Sequence, residues 1–197
     1  MNVASLSSLQ PKNNQSDNHE QDLPDKVFLR NFVPMKQFHI IFICLGNICR
    51  SPAAQAVMQK IVDKRQLSDR FLIDSAGISG YHQGELPDRR MRVHARQRGY
   101  ELTHHSRPVT LSDLEQADLI VTMDQANVDA LHNLAATPEQ DRKITPIGQF
   151  IRLLRRHYDF VPDPYYEGSE GFELVLDLLE DACENLLEYI LKNQSTS

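Results

Sequence analysis

Residues 38–54, FHIIFICLGNICRSPAA, set a strand, a tight loop and a helix start one directly after another within seventeen residues, and the rest of the chain is read as serving them. From Phe38 to Leu45 the chain is almost continuously apolar and rich in β-branched residues, the pattern of a strand buried on both faces of a parallel sheet. Gly46 and Asn47 follow, the residue types that most readily take left-handed backbone angles, so the chain can curl and turn several N–H groups toward one point. Ser51-Pro52 predicts an N-cap and first helical residue, and AAQAVMQKIVDKR predicts a helix running to about Gln66. A loop of inward N–H groups above a helix N-terminus binds an anion, most often a phosphate. Cys44 ends the strand, at the floor of this cradle, where the positive potential favours a thiolate. Arg50 closes the cradle with a planar fork that holds two phosphoryl oxygens at once.

The 197 residues, 41% of them hydrophobic, suffice for one good core and call for no second domain. A formal net charge of −6 argues against nucleic acid or an anionic membrane surface as the main partner. Three cysteines, an odd number, fit a reducing compartment better than a disulfide framework. The longest apolar run is too short to span a bilayer and the N-terminus lacks a signal-peptide pattern, so a cytoplasmic protein without an integral membrane segment is expected. Residues 1–36 are expected to form a disordered N-terminal extension, because Ser, Asn, Gln and Asp dominate most of it without periodicity. Within it, VFLRNFVPM at 27–35 is more apolar, suited either to packing on the domain or to docking as a peptide. The domain itself is assigned to 37–197.

Further along, FLIDSAG at 71–77 reads as a second strand beside the first, which places Asp74 to Gly77 next to the Cys44 loop, at the carboxyl ends of the strands. Residues 78–87 form a loop whose largest side chains are Tyr81 and His82. Residues 88–100 predict a helix ended by Gly99, with arginines at 89, 90, 92, 96 and 98. That face could steer acidic phosphoproteins, although a solvated helix face is the more ordinary meaning. ADLIVTMD at 117–124 predicts a strand with Asp124 at its carboxyl end, then a short helix over 126–135. KITPIGQF at 143–150 is the last strand candidate, with Pro146 marking an edge or strand end. The polar loop HYDFVPDPYYEG at 157–168 is unusually dense in aromatics. Residues 170–192 carry one apolar helical stripe, and Cys183 lies on it as core packing. The fold class expected is α/β: a single doubly wound domain, a four-stranded parallel sheet with helices on both faces, and a phosphate-binding loop after the first strand. No metal-ligand cluster is visible, and no cofactor is implied.

CLGNICRSP at 44–52 resembles the phosphate-binding loop of the low-molecular-weight protein tyrosine phosphatases, and the resemblance runs from about Phe38 to the end of the chain. It implies hydrolysis of phosphotyrosine, and of small aryl phosphates, through a phosphocysteine, without metal or cofactor. Cys44 would be the nucleophile. Arg50 and the loop residues Leu45, Gly46, Asn47, Ile48 and Cys49 would bind the phosphoryl oxygens, with Ser51 beside the sulfur. Asp163, followed by Pro164, Tyr165 and Tyr166, matches the general acid, whereas Asp159 lacks the Pro-Tyr-Tyr context. Tyr165 and Tyr166 match tyrosines beside the cleft, and Tyr81 and His82 match its opposite wall. Ser75 and His104 match residues that support Asn47, and Asp124 matches a structural hydrogen-bonding group. The partners implied are tyrosine-phosphorylated proteins; the resemblance implies nothing about oligomeric state. Cys49, five residues from a low-pKa cysteine, can capture its sulfenic acid as a disulfide. Three other readings use the same loop. Arsenate reductases need further downstream cysteines, and only Cys183 is present. Protein-arginine phosphatases resemble a loop with Thr where this chain has Ile48. A non-catalytic phosphate-binding regulatory module would be expected to lack Cys44, Arg50 or Asp163.

Overall fold

The computed structural model describes residues 36–153 and 158–194, all within one unit, Met35–Ser197. The expectations for the extension, including the 27–35 segment, fall outside the described residues, save Lys36, whose Nζ pairs with Asp118 at 2.8 Å. Four parallel strands, β1 (Phe38–Cys44), β2 (Phe71–Gly77), β3 (Leu119–Thr122) and β4 (Ile144–Pro146), lie in the order β2-β1-β3-β4. This is the expected doubly wound sheet. The chain leaves β1 in one direction to form β2 and returns on the other side to form β3, so a topological switch point opens at the carboxyl end of β1. Ile40, Ile41, Phe42 and Ile43 are fully buried, as the apolar run predicts for a central strand.

Side-chain alternation along β1 assigns its two faces. Ile40, Phe42 and Cys44 face one core layer with α1 (Arg50–Lys64), α2 (Arg89–Gln97) and α6 (Ser169–Gln194). Ile41 and Ile43 face the other layer with Leu114 of α3 (Leu111–Gln116) and Leu131 of α4 (Gln125–Leu134). Cys44 therefore belongs to the same side as α1, which is why the loop between them can close over its sulfur.

Three readings of the chain need correction. α1 begins at Arg50, and its N-cap is Cys49 rather than Ser51. The Ser51 hydroxyl makes no cap, because Cys44 and Asn47 claim it. Two short helices, α3 and α5 (Pro138–Arg142), stand where the sequence reading places none; their local signals are the Thr110–Asp113 capping box and the Thr137-Pro138 start. Finally, the strand over 143–150 is confined to Ile144–Pro146: it is an edge strand that ends at Pro146, as that proline indicates, and the chain then turns into a 3-10 helix over Ile147–Phe150. The basic face of α2 is also less open than its sequence reads: Arg90 pairs with Asp88, Arg96 with Glu101, and Arg98 with Glu173, Asp177 and Glu180.

α6 lays its stripe, from Phe172 through Leu179 and Leu186 to Ile190, onto α1 and the sheet. Leu179 is fully buried within it. Leu179→Ala should lower unfolding free energy by about 2–5 kcal/mol, the usual range for a buried leucine, measured by urea denaturation.

Candidate active site

The loop after β1 is built around Asn47. Its φ of 54° is left-handed, which reverses the chain direction above Cys44. Its buried side chain uses its full bonding capacity: Nδ2 donates to Ser51 Oγ at 2.9 Å and Ser75 Oγ at 3.0 Å. Oδ1 accepts from the Arg107 backbone N–H at 3.0 Å and faces His104 Nε2 at 2.9 Å. The Arg107 donor fixes Oδ1 as an acceptor, so His104 must carry its proton on Nε2. Burial lowers the His104 pKa against the opposing pull of Asp74, which favours the neutral ring. Ser75 in turn donates to Gln55 Oε1 at 2.7 Å, leaving its lone pairs for Asn47.

The rest of the loop is clamped by its carbonyls. Those of Cys44, Leu45, Gly46 and Ile48 accept, respectively, from Ile78 N–H, Ser79 N–H, Ser106 Oγ–H and Asp88 N–H, at 2.9, 2.8, 3.0 and 2.8 Å. Each carbonyl points outward, and in a planar trans peptide the next N–H points the opposite way. The N–H groups of Leu45, Gly46, Asn47 and Cys49 are thereby turned inward, and Asn47 N–H lies 3.3 Å from Cys44 Sγ. α1 begins here with neither a side-chain cap nor an acidic residue in its first turn, so its positive end adds to the same site. Gly77 backs the loop closely: a Cβ there would meet the Leu45 carbonyl oxygen at 2.9 Å and Asn47 N at 3.0 Å. Gly46 is similarly pressed by the His82 ring, with a hypothetical Cβ 3.2 Å from its Cδ2.

Cys44 is 2% exposed, with Sγ 3.1 Å from Ser51 Oγ. Ser51 Oγ accepts from Asn47 and lies 3.3 Å from the Ala76 carbonyl, so its one proton has two acceptors within reach, that carbonyl and the Cys44 sulfur. The guanidinium of Arg50 spans the opening: Nη1 contacts Asp124 Oδ2 at 2.5 Å and the Val161 carbonyl at 3.3 Å, and Nη2 contacts Asp163 Oδ2 at 2.8 Å. Burial works against the Arg50 charge, but the negative charges of Cys44, Asp163 and Asp124 outweigh it and raise the Arg50 pKa. Burial, followed by Asp88 and Cys44, pushes the Cys49 thiol far above its ordinary value, so Cys49 stays protonated beside Cys44.

Above the cradle lies a cleft of about 430 Å³, lined by Cys44, Leu45, Gly46, Ile48, Cys49, Arg50, Ser79, Tyr81, His82, Asp163, Tyr165 and Tyr166. Tyr81 and His82 meet edge-to-face at 4.9 Å, as do Tyr165 and Tyr166. His82 is oriented by Glu85, 2.7 Å from its Nδ1. Asp159 is not among the lining residues; its backbone packs on Gly148, where a Cβ would lie 1.8 Å from the Asp159 carbonyl oxygen. Asp124 caps α4 through Asn127 N–H at 2.8 Å while holding Arg50, so it is both an end cap and an ion-pair partner. The sequence reading missed Gln55, Ser106, Arg107 and Gly148. Gln55 lies one helical turn past Ser51, a spacing that points it at the same face; the other three carry no local signal. Among the described residues no cluster of His, Cys, Asp or Glu could hold a metal ion, and no helix is long and apolar enough to cross a membrane.

The family model described as low molecular weight phosphotyrosine protein phosphatase matches residues 39–196. A Synechocystis sp. protein assigned to the low molecular weight protein-tyrosine-phosphatases is 44% identical over 156 residues, covering 75% of this chain and 93% of its own length. A protein tyrosine phosphatase from Entamoeba histolytica, solved with Hepes in its active site, superposes with a TM-score of 0.76 at 41% identity, over 80% of this chain and 99% of that one. An arginine phosphatase of Drosophila superposes with a TM-score of 0.71 at 32% identity, over 77% and 96%. Asn47→Ala should strand the His104 and Arg107 donors in a buried site and strain the left-handed turn. A loss of about 2–4 kcal/mol in unfolding free energy is expected, with weakened competitive inhibition by inorganic phosphate as the site-specific readout.

Proposed function

Because the chain belongs to the low molecular weight phosphotyrosine protein phosphatase family, and is a cysteine-dependent protein-tyrosine-phosphatase acting through a phosphocysteine, we propose that Cys44 is its nucleophile and Asp163 its proton donor. The observation that carries this is Arg50, one guanidinium reaching Asp163 from above the Cys44 floor. A phosphoryl group in the cradle takes two of its oxygens to Arg50 and the third to the loop N–H groups. It competes with Asp163 for Nη2, while Asp124 keeps Nη1 and so holds the plane of the fork. Asp163 is thereby released toward the ester oxygen, where, no longer neutralised by Arg50 and facing the negative phosphoryl group, it takes up from solvent the proton it then donates.

In the first step the Cys44 thiolate forms the S–P bond as the P–O bond to the aryl group breaks, and Asp163 gives its proton to the departing oxygen. In the second, Asp163 takes a proton from water, the water oxygen bonds to phosphorus, and the S–P bond breaks to regenerate the thiolate. As negative charge returns to the sulfur, the Ser51 hydroxyl turns its proton from the Ala76 carbonyl, 3.3 Å away, to Cys44 Sγ at 3.1 Å, while Asn47 Nδ2 holds the hydroxyl oxygen in place. The substrate class is phosphotyrosine in proteins: Tyr81 and His82 on one wall and Tyr165 and Tyr166 on the other suit an aryl ring. Ile48 puts an apolar side chain in the lining, where a phosphoguanidine would need polar partners. Cys183 is fully buried on the core face of α6, its Sγ against the Ala54 carbonyl of α1, the packing role of a core cysteine rather than that of a relay thiol. A reducing compartment such as the cytoplasm suits three free cysteines, one of which must stay a thiolate.

Cys44→Ser should abolish turnover, and Asp163→Asn should lower phosphotyrosine hydrolysis by about 10²–10⁴-fold, the ordinary contribution of a positioned acid. Turnover persisting in Cys44→Ser, or faster release from phosphoarginine than from phosphotyrosine, would overturn the assignment. Peroxide should inactivate the enzyme reversibly. Oxidation of Cys44 to the sulfenic acid and condensation with the Cys49 thiol forms a disulfide and releases water, so Cys49→Ser should recover far less activity under dithiothreitol.

A further inference from the structure

We propose that Arg90 is a positioning residue that holds the Asp163 loop against the opposite wall of the cleft. The inference rests on Asp163 being the proton donor. As one of five arginines on a basic helix, Arg90 reads as a solvated charge, but its surroundings are those of a clamp. Asp88, the N-cap of α2, accepts from the Arg90 backbone N–H at 2.7 Å, from Nε at 3.1 Å and from Nη2 at 2.9 Å. The side chain is thus folded back and fixed in plane by a carboxylate two residues away. The Arg90 Cζ lies 4.8 Å from the centroid of the Phe172 ring and 5.4 Å from that of Tyr165. Phe172 is immobile: it is 1% exposed and stacks on His94 at 5.5 Å with ring planes 3° apart.

These contacts close a circuit around the cleft. Asp88 N–H donates to the Ile48 carbonyl, so the base of the clamp is bonded to the cradle itself. Arg90 contacts the face of Tyr165, and the Tyr165 N–H donates to Asp163 Oδ1 at 3.2 Å. Asp163 Oδ2 returns to the cradle through Arg50. Tyr165 is 38% exposed on a surface loop, and Pro164 before it has no N–H to donate. Cation–π contact with a fixed guanidinium is what ties that ring to the body of the protein. When a phosphoryl group occupies Arg50, the Arg90–Tyr165 side of the circuit is what keeps the Asp163 carboxyl over the ester oxygen.

The test is leaving-group dependence. Protonation matters for a poor leaving group such as phenolate, and much less for p-nitrophenolate, which departs unaided. In Arg90→Ala, kcat/KM for phenyl phosphate should fall about tenfold, consistent with the cost of misplacing a catalytic group, while that for p-nitrophenyl phosphate falls less than about threefold. Arg90→Lys keeps the charge but cannot make the fork to Asp88, and should retain the defect. Introduced into Asp163→Asn, Arg90→Ala should add no further loss on phenyl phosphate, since both act on one function. Inhibition by inorganic phosphate should be unchanged, showing an intact cradle. Equal losses on the two substrates, full recovery in Arg90→Lys, or a loss that adds to Asp163→Asn would overturn the proposal. Asp163→Asn with no leaving-group selectivity would instead remove the donor assignment, whereas a selective Asp163→Asn beside a silent Arg90→Ala overturns the role of Arg90 alone.

Discussion

Everything at the head of the sheet depends on one buried amide. Asn47 reverses the chain in a left-handed conformation and meets four partners from three separated segments: Ser51 on α1, Ser75 on β2, and both His104 and the Arg107 backbone on the connection between α2 and α3. A buried amide carries a desolvation cost unless each of its donors and acceptors is matched, so this geometry exists only when all three segments are in place. The outward carbonyl bonds to Ile78, Ser79, Ser106 and Asp88 then fix the remaining peptide planes. The cradle is rigid because its back is fully bonded, which is what lets its front present N–H groups without reorganising around an anion.

Charge is arranged with the same economy. Arg50 is 2% exposed and carries two carboxylates on one fork, Asp124 at 25% and Asp163 at 42% side-chain exposure. The more enclosed partner is tied to the N-terminus of α4 and serves as an anchor; the more exposed one sits on the aromatic loop and is the one free to exchange for a phosphoryl oxygen. One residue type in two settings thus gives a fixed support and, in the proposed mechanism, the proton donor. Cys49, protonated and buried, sits beside Cys44 without competing for the thiolate.

Much of this was legible along the chain. A buried strand, a Gly-Asn turn and a Ser-Pro helix start are local signals, and together they placed Cys44 and Arg50 at an anion site. Ser51 shows the limit of such reading. Its residue type and the following proline predicted a cap, whereas packing turned its hydroxyl toward Cys44 and Asn47 and moved the cap to Cys49. Arg107 and Ser106 act on the loop from 60 residues away, and Arg107 does so through its backbone, which no side-chain pattern can announce.

The sequence by itself determined the parallel sheet, the cradle and its chemistry, because those follow from hydrophobic run length, turn propensity and the reactivity of a thiol at a helix N-terminus. Only the tertiary structure decided which of many charged residues face the site. The Pro-Tyr-Tyr after Asp163 singled it out along the chain, but that it lines the cleft while the Asp159 backbone packs on Gly148 is visible only in the fold. Arg90 rather than its neighbours reaches Tyr165 because Asp88 folds it back across α6. Such choices depend on contacts between segments far apart in sequence, and local propensity carries no information about them.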